Sequence, residues 1–186
     1  NILSLFKNII DRIKIPIAIY VIYDYDEDPT LDIINTNLSI MNCDIELLKN
    51  KYGSGALNAI KTGFEEFKEE ACVVIMADCS DDLSTINGMY GLFCQGFHIV
   101  CGSRYMRNGK QVGGSKFKKT LSRLAGKSLY LLTNMPTHDV TNSFKLYTKR
   151  VLDSIEIESK GGFEIGMEIL IKSYLEQYAI TEVPTI

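Results

Sequence analysis

Apolar positions along this chain follow two rhythms. Ile2, Leu3, Leu5, Phe6, Ile9, Ile10 and Ile13 recur at helical spacing, which predicts an amphipathic helix over residues 1–14, stopped before Pro16. Residues 17–23 (IAIYVIY), 73–76 (VVIM) and 98–101 (HIVC) are short apolar runs instead, as expected of strands buried on both faces of a parallel sheet. Residues 51–70 (KYGSGALNAIKTGFEEFKEE) open as a glycine-containing loop and continue as a helix through Ala56, Ile60, Phe64 and Phe67. Further helices are predicted over 83–94, 116–133 and 163–178, and strand-like segments follow the polar loop 137–143 and close the chain at TEVPTI. Ser39 to Met41 is too short to assign. Strand and helix in alternation predict an α/β domain with a mostly parallel sheet. No repeat, low-complexity segment or linker divides residues 1–186, so they read as one domain. Its abrupt start in a helix and stop after a strand are expected of a fragment or of a protein pared down at both ends.

Composition narrows this picture only slightly. The 186 residues suffice for a sizeable core, and 46% hydrophobic with 23% charged residues exclude a disordered chain. A net charge of -3 gives no general affinity for nucleic acid. The distribution of charge says more than its sum. Arg104, Arg107, Lys110, Lys116, Lys118, Lys119, Arg123 and Lys127 are eight basic residues with no acid between them, which leaves the remainder at -11. Such a block is ordinarily a solvated face, yet after a strand end it can also face an acidic group across a cleft. With Leu121, Leu124, Leu129, Leu131 and Leu132 among the basic residues, helix 116–133 suits an anionic membrane surface or an ordinary core.

The five cysteines form no CxxC pair, and Cys72, Cys94 and Cys101 lie in or beside apolar runs. A reduced, cytoplasmic setting is expected. His98 and His138 lack close Cys/His spacing, so any metal would be a hard cation held by oxygen. No run approaches the ~20 apolar residues of a membrane span.

Two of the apolar runs end in acid. Residues 17–23 lead into Asp24, Asp26, Glu27 and Asp28, with Pro29 and Thr30 placed to start a helix or turn. Residues 73–76 lead through Ala77 into Asp78, Asp81 and Asp82. An acidic turn that caps the next helix explains such clusters; so does a site, because α/β sheets bind ligands outside the carboxyl ends of their strands. Gly53, Gly55 and Gly63 fit neither GxGxxG nor a Walker loop, and helix packing is the preferred explanation for them. Glu164 and Glu168 share a helix face, by default as a solvated pair. Carboxylates at a strand end can hold a divalent ion that neutralises a diphosphate, with basic side chains opposite for a second phosphate. That combination suits group transfer from a nucleoside diphosphate, without naming the group.

An ordered series of motifs supplies a name. VVIMADCSDD resembles the metal-binding DxD strand of glycosyltransferase family 2. VIYDYDEDPT (21–30) resembles its VVDDGSTDGT, KYGSGALNAIKTG (51–63) its glycine-containing helix start, and IVCGSRY (99–105) its IVxGSRY. HDVTNSFKLY (138–147) resembles DxxSGFRxY, while GGFEIGMEIL and TEVPTI resemble GFxxxxELL and EVPI. The series spans nearly the whole chain and is most similar to the dolichyl-phosphate mannose synthase-like branch.

The resemblance implies a GT-A fold, a Rossmann-like sheet flanked by helices, and an inverting hexosyltransferase that uses a GDP- or UDP-sugar with Mg2+ or Mn2+. It implies nucleotide contacts from Asp24, Lys51, Gly53 and Asp78, and metal ligation by Asp78 with Ser80 or Asp81. Arg104 and Arg123 would hold acceptor or leaving-group phosphate, and Asp139 would sit near the reacting centre. A lipid phosphate such as a polyprenyl phosphate is the implied acceptor, with peripheral contact at the cytoplasmic face of a membrane and a role in glycan or glycolipid synthesis. The chain departs from the pattern at Met76, in place of the first Asp of DxD, and at Tyr23, in place of the first Asp of VVDD. The family's opening strand with its PxYNE motif has no counterpart before Asn1, so the domain is expected to be incomplete at its N-terminus. Two other readings are a degenerate GT-A domain acting as a non-catalytic binding or assembly module and, more remotely, a nucleotidyltransferase.

Overall fold

The computed structural model describes residues 2–38, 43–113, 133–162 and 164–186, together with Thr120, Leu124, Ser128 and Tyr130. Helix α1 (Ile2–Arg12) buries Leu5, Phe6 and Ile9, the stripe its spacing predicts, and leaves Leu3 and Ile10 exposed. Its end is fixed by Asn87, whose side-chain amide donates to the Arg12 carbonyl and whose carbonyl accepts from Lys14 N–H, both at 2.8 Å. Strand β1 (Ala18–Tyr23) pairs in parallel with β2 (Asp44–Lys49), in register from Ala18 opposite Asp44 to Tyr23 opposite Lys49. Between them runs α2 (Pro29–Asn37), started by the Asp28 carboxylate accepting from Thr30 N–H at 2.9 Å, with Pro29 in the first turn. The polarity of DIELLK hides β2 in the sequence, since Asp44, Glu46 and Lys49 point to solvent.

Helix α3 (Ala56–Glu66) follows, and then β3 (Ala71–Val73), α4 (Thr85–Phe93), β4 (Ile99–Ser103), β5 (Lys145–Thr148), α5 (Lys149–Ser154), α6 (Ile165–Leu175) and β6 (Ile180–Pro184). The last four strands form one sheet in the order β3-β5-β4-β6. β4 and β6 run parallel, while β5 runs antiparallel to both of its neighbours. The α/β architecture with helices flanking the sheet is therefore present, and its parallelism is interrupted by β5. β3 is shorter than the apolar run 73–76 suggests. Its partner β5 begins only at Lys145, which the register places opposite Val74, so Ile75 and Met76 have no strand residue to pair with.

Alternation along the strands divides the core into two layers. Ile99, Cys101 and Tyr147 face Leu57, Phe64, Val151, Ile165, Ile169 and Leu170 from α3, α5 and α6. Val100 and Leu146 face Leu5, Phe6, Ile9, Ile34, Ile86 and Met89 from α1, α2 and α4. Helices also bridge the two sheets. Gly63 of α3 passes close over Ile22 of β1, while Phe64 of the same helix meets the Tyr147 ring of β5 edge-on at 5.5 Å. On the opposite face, Ile19 and Val21 of β1 and Ala71 and Val73 of β3 pack into the cluster around α1.

No backbone pairing joins β1 to β3. The Tyr23 carbonyl accepts from Asn50 N–H, which turns Tyr23, Val21 and Ile19 toward β2 and leaves Ala18, Tyr20 and Ile22 on the other edge. The Glu70 carbonyl accepts from Lys149 N–H, which by the same alternation leaves Ala71 and Val73 on the free edge of β3. All five cysteines are free thiols; Cys101 is fully buried, Cys72 and Cys43 are partly exposed, and Cys79 and Cys94 lie at the surface.

The expected helix over 116–133 falls mainly outside the described residues. The five of that segment that are described, Thr120, Leu124, Ser128, Tyr130 and Thr133, are helical and exposed. Ser39 to Met41 and Arg123 also lie outside the described residues. Glu164 and Glu168 differ from the expected solvated pair. The Glu168 carboxylate accepts from the backbone N–H groups of Glu158 and Ser159 at 2.7 and 2.9 Å, from the Ser159 hydroxyl and from Lys172. It therefore braces the loop between α5 and α6.

Candidate active site

Three chain segments meet beyond the ends of β3 and β4. The first follows β3, where the Met76 N–H donates to the Asp81 carboxylate at 3.1 Å. A methionine in this position thus supplies a backbone donor that aims the next acid. Asp78 accepts from Ser80 N–H at 2.9 Å, closing a tight turn in which Cys79 has a positive φ of 62°. That hydrogen bonding holds the exposed Asp78 carboxyl below its usual range, whereas burial, with the Asp78 charge beside it, pushes Asp81 up. Asp82 turns away, accepting from Ser84 N–H at 3.2 Å just before α4 and meeting Arg12 at 3.4 Å.

The second segment is the end of β4. Gly102 is needed here because a Cβ would lie 2.8 Å from the Phe144 ring and 3.0 Å from the Phe144 carbonyl. This close approach brings β4 against the third segment, residues 137–144. Gly102 N–H donates to the Phe144 carbonyl at 2.9 Å, and the Asn142 side chain donates to the Gly102 carbonyl at 2.8 Å. Two residues on, Arg104 meets Asp139. Nε and Nη2 donate to the two carboxylate oxygens at 2.7 and 2.9 Å, and Arg104 N–H adds a third contact at 3.1 Å. Asp139 is fully buried and also accepts from the Thr141 hydroxyl at 3.2 Å. Burial opposes the Arg104 charge, but the Asp139 bonds more than offset it and raise its pKa. Among the described residues Nη1 of Arg104 has no hydrogen-bond partner.

These segments enclose a polar cavity of about 270 Å3, lined by Ser80, Asp81, Arg104, Gln111, Thr141, Asn142, Ser143 and Thr185 among others. Thr185 arrives from the end of β6, held by its N–H to the Ser103 carbonyl at 3.2 Å. Beside the cavity, Glu182 accepts from Thr137 and from the His138 backbone, and pairs with His138 Nδ1 at 2.6 Å. The structure thus brings together Ser80, Asp81, Arg104 and Asp139 of the expected site.

Asp24, Lys51 and Gly53 lie elsewhere, at the ends of β1 and β2. Both Asp24 oxygens are engaged, by the Asn50 amide at 2.9 Å and by Gly55 N–H at 3.1 Å. Gly55 has a φ of 120° and Gly53 of 85°, so backbone conformation, not helix packing, explains these two glycines. The Lys51 ammonium is paired with Glu65 and Glu66. Thr141, Asn142, Ser143, Gln111 and Thr185 were not expected to line a site. THDVTNSF reads as a loop and TEVPTI as a strand, and only topology brings their ends together.

A divalent cation fits this donor set in part. Asp78 and Asp81 are oxygen donors on one short segment after β3, and of the two Asp81 lines the cavity beside Ser80. Among the described residues no group of three His, Cys, Asp or Glu gathers. Two carboxylates suffice for Mg2+ or Mn2+ where substrate phosphates and water complete the shell.

Comparison with known proteins identifies the family. Residues 1–156 match the family model described as "Glycosyl transferase family 2". The chain is 27% identical over 143 residues to the dolichol-phosphate mannosyltransferase of Pyrococcus furiosus, covering 75% of this chain and 40% of that protein. It therefore spans less than half the length of this relative. Among solved structures, mannosyl-3-phosphoglycerate synthase from Rubrobacter xylanophilus superposes with a TM-score of 0.67 at 17% identity, covering 98% of this chain and 60% of the other. Glucosyl-3-phosphoglycerate synthase from Mycobacterium tuberculosis, in complex with Mn2+, UDP and glucosyl-3-phosphoglycerate, superposes at 0.65 and 13% identity, over 100% and 66% of the two chains. At these identities the structural likeness establishes the fold.

Proposed function

The chain belongs to glycosyl transferase family 2, and on that premise we propose that its cavity transfers a hexosyl group from a GDP- or UDP-sugar to an acceptor that carries a phosphate. The supporting observation is the convergence on one cavity of Asp81, from the loop after β3, with Arg104, whose Nη1 has no partner among the described residues. In an inverting transfer the acceptor oxygen attacks the anomeric carbon from one side while the bond to the diphosphate breaks on the other. The electron pair departs with the diphosphate. Arg104 donates to the oxygens that gain this charge or to the acceptor phosphate. Asp139, fully committed to Arg104 and Thr141, aims the guanidinium. Arg123 is assigned a second phosphate contact on the family resemblance alone. An acceptor phosphate such as a polyprenyl phosphate is already ionised at neutral pH and needs no strong general base.

Asp78 and Asp81, with Ser80, would hold Mg2+ or Mn2+, and such an ion would neutralise the diphosphate leaving group. The Mn2+ of the glucosyl-3-phosphoglycerate synthase complex supports this assignment. Asp24, Lys51 and Gly53 are assigned to the nucleoside side, where their present partners would have to be exchanged for ligand. No described helix is long and apolar enough to cross a membrane; a lipid acceptor would be met at the cytoplasmic face of one, by peripheral contact.

A melting-temperature titration with Mn2+ and UDP or GDP tests this reading. The wild type should gain stability, and Asp81→Asn should lose the gain. Without metal the same variant should melt slightly higher at neutral pH. A raised carboxyl pKa contributes stability that is present below the usual carboxylate range and lost as pH rises through the folded value. Absence of any nucleotide-dependent rise in the folded wild type would overturn the assignment.

One observation favours a second reading, a non-catalytic binding or assembly module. The sheet is broken between β1 and β3, and we propose that residues 1–186 form one domain whose sheet is incomplete at that point. Turnover of a sugar donor by this chain, with release of nucleoside diphosphate, excludes the module; release of pyrophosphate would mark a nucleotidyltransferase instead.

A further inference from the structure

Among the described residues Lys145 is the one Lys or Arg side chain wholly removed from solvent. Burial lowers its pKa, and it makes no ion pair within the described residues. Its Nζ donates instead to two carbonyls, those of Val140 at 3.2 Å and of Asn142. Taking an ammonium out of water is costly unless its donors are satisfied, and here carbonyls of a single turn take two of its three N–H groups.

That turn carries the site. Asp139 precedes it and receives Nε and Nη2 of Arg104; Thr141, between the two carbonyls, accepts from Nη2 at 3.4 Å; Asn142 is bonded to the Gly102 carbonyl at the end of β4. The cation therefore holds the turn through its carbonyls, while the guanidinium holds it through the Asp139 and Thr141 side chains. Gly166 of α6 packs beside it, where a Cβ would lie 3.2 Å from the Tyr147 hydroxyl and in ordinary contact, 3.7 Å, with Nζ.

We propose that Lys145 is a positioning residue, whose ammonium fixes residues 140–142 so that Asp139 and Thr141 grip Nε and Nη2 of Arg104 and leave Nη1 for substrate. The part of this that concerns substrate rests on the transferase reading. The part that concerns Arg104 does not.

The Arg104 Nε–H group, bonded to a buried carboxylate, should give a slowly exchanging 15N NMR signal in the substrate-free wild type. Lys145→Met removes the ammonium and nearly keeps the chain length, at the cost of leaving the Val140 and Asn142 carbonyls without that donor. It should speed exchange of that proton about 10-fold or more, and Lys145→Arg should restore protection. Lys145→Leu serves if the Met variant does not fold. Unchanged Nε–H exchange in a folded Met or Leu variant overturns the proposal.

In turnover, Lys145→Met should lower kcat by about 10–100-fold, the usual cost of losing a group that orients a functional residue. The donor KM should stay near wild type, a split that general loosening of the fold would not give. A wild type that turns over no donor would sink the transferase reading and leave the exchange result standing.

Discussion

β1 and β4 look alike in sequence and differ in the structure. Each is a short apolar run, IAIYVIY and HIVC, that leads into polar residues. In β4, Ile99, Val100 and Cys101 have no solvent exposure, while every residue of β1 is only half-buried. β4 has β5 on one edge and β6 on the other, and helices on both faces. β1 has β2 alone. Burial of a strand is a property of its neighbours, and composition records only that neighbours suit it. The comparison extends to the polar groups at the strand ends. Beyond β4, Arg104 keeps Nη1 without a partner among the described residues; beyond β1, Asp24 spends both oxygens on bracing its own loops.

The strongest way to break this comparison is at the buried pair of the closed sheet. Asp139→Ala leaves Arg104 largely buried without its anion and should cost about 3–5 kcal/mol in urea unfolding. Loss of the exposed Lys68–Glu46 pair on β2 should leave the same curve unmoved. An equal response at both places would show that the two sheets are equally enclosed.

A smaller effect should appear in hydrogen exchange. The N–H groups of Tyr20 and Ile22, on the open edge of β1, should exchange about 100-fold faster than those of Val100 and Cys101, because local opening need not unfold the core. Protection of Tyr20 and Ile22 equal to that of Val100 would mean that another chain segment covers this edge in solution.

How much of this was legible in the sequence depends on whether the signal was local. The α1 stripe, the Asp28 cap before Pro29 and the buried run of β4 follow from spacing and residue type, and the structure has them. β2 was missed because its solvent-facing Asp44, Glu46 and Lys49 dilute its apolar positions. β3 was drawn too long because Val74 and Ile75 are apolar enough for a strand, while the partner that would extend it starts at Lys145. At the candidate site, Asp81, Arg104 and Asp139 were named on the family pattern, and the structure brings them together, but their contacts were not legible. Both oxygens of Asp139 are occupied, and that depends on Thr141 and on a backbone N–H that no motif encodes. Met76 counted as the loss of a carboxylate, yet its N–H orients Asp81. Glu168 was the plainest reversal, from a solvated acid to one that four donors hold.

The last prediction, and the smallest effect, belongs to Glu168, in the first turn of α6. Burial opposes its charge, but Lys172, Ser159 and two backbone N–H groups together lower its pKa to about 2. A depressed carboxyl contributes stability that is present above its unfolded value and lost as pH falls through the folded one. Between about pH 4.5 and 2 the wild type should therefore lose stability that Glu168→Gln never had, about 1 kcal/mol after solvent screening. Parallel acid curves for the two proteins would remove Glu168 as the brace of its loop.

Cys101 gives the closed sheet a chemical clock. Its thiol is fully buried, and burial pushes its pKa up to about 11, so that almost none of it is thiolate near neutrality. Cys79 and Cys94 at the surface meet an alkylating reagent without any opening of the chain. Cys101 meets it only when β4 separates from β5 and β6. With no disulfide to reshuffle, the lag between surface and core labelling reads the opening rate of the strand that carries Arg104 into the site.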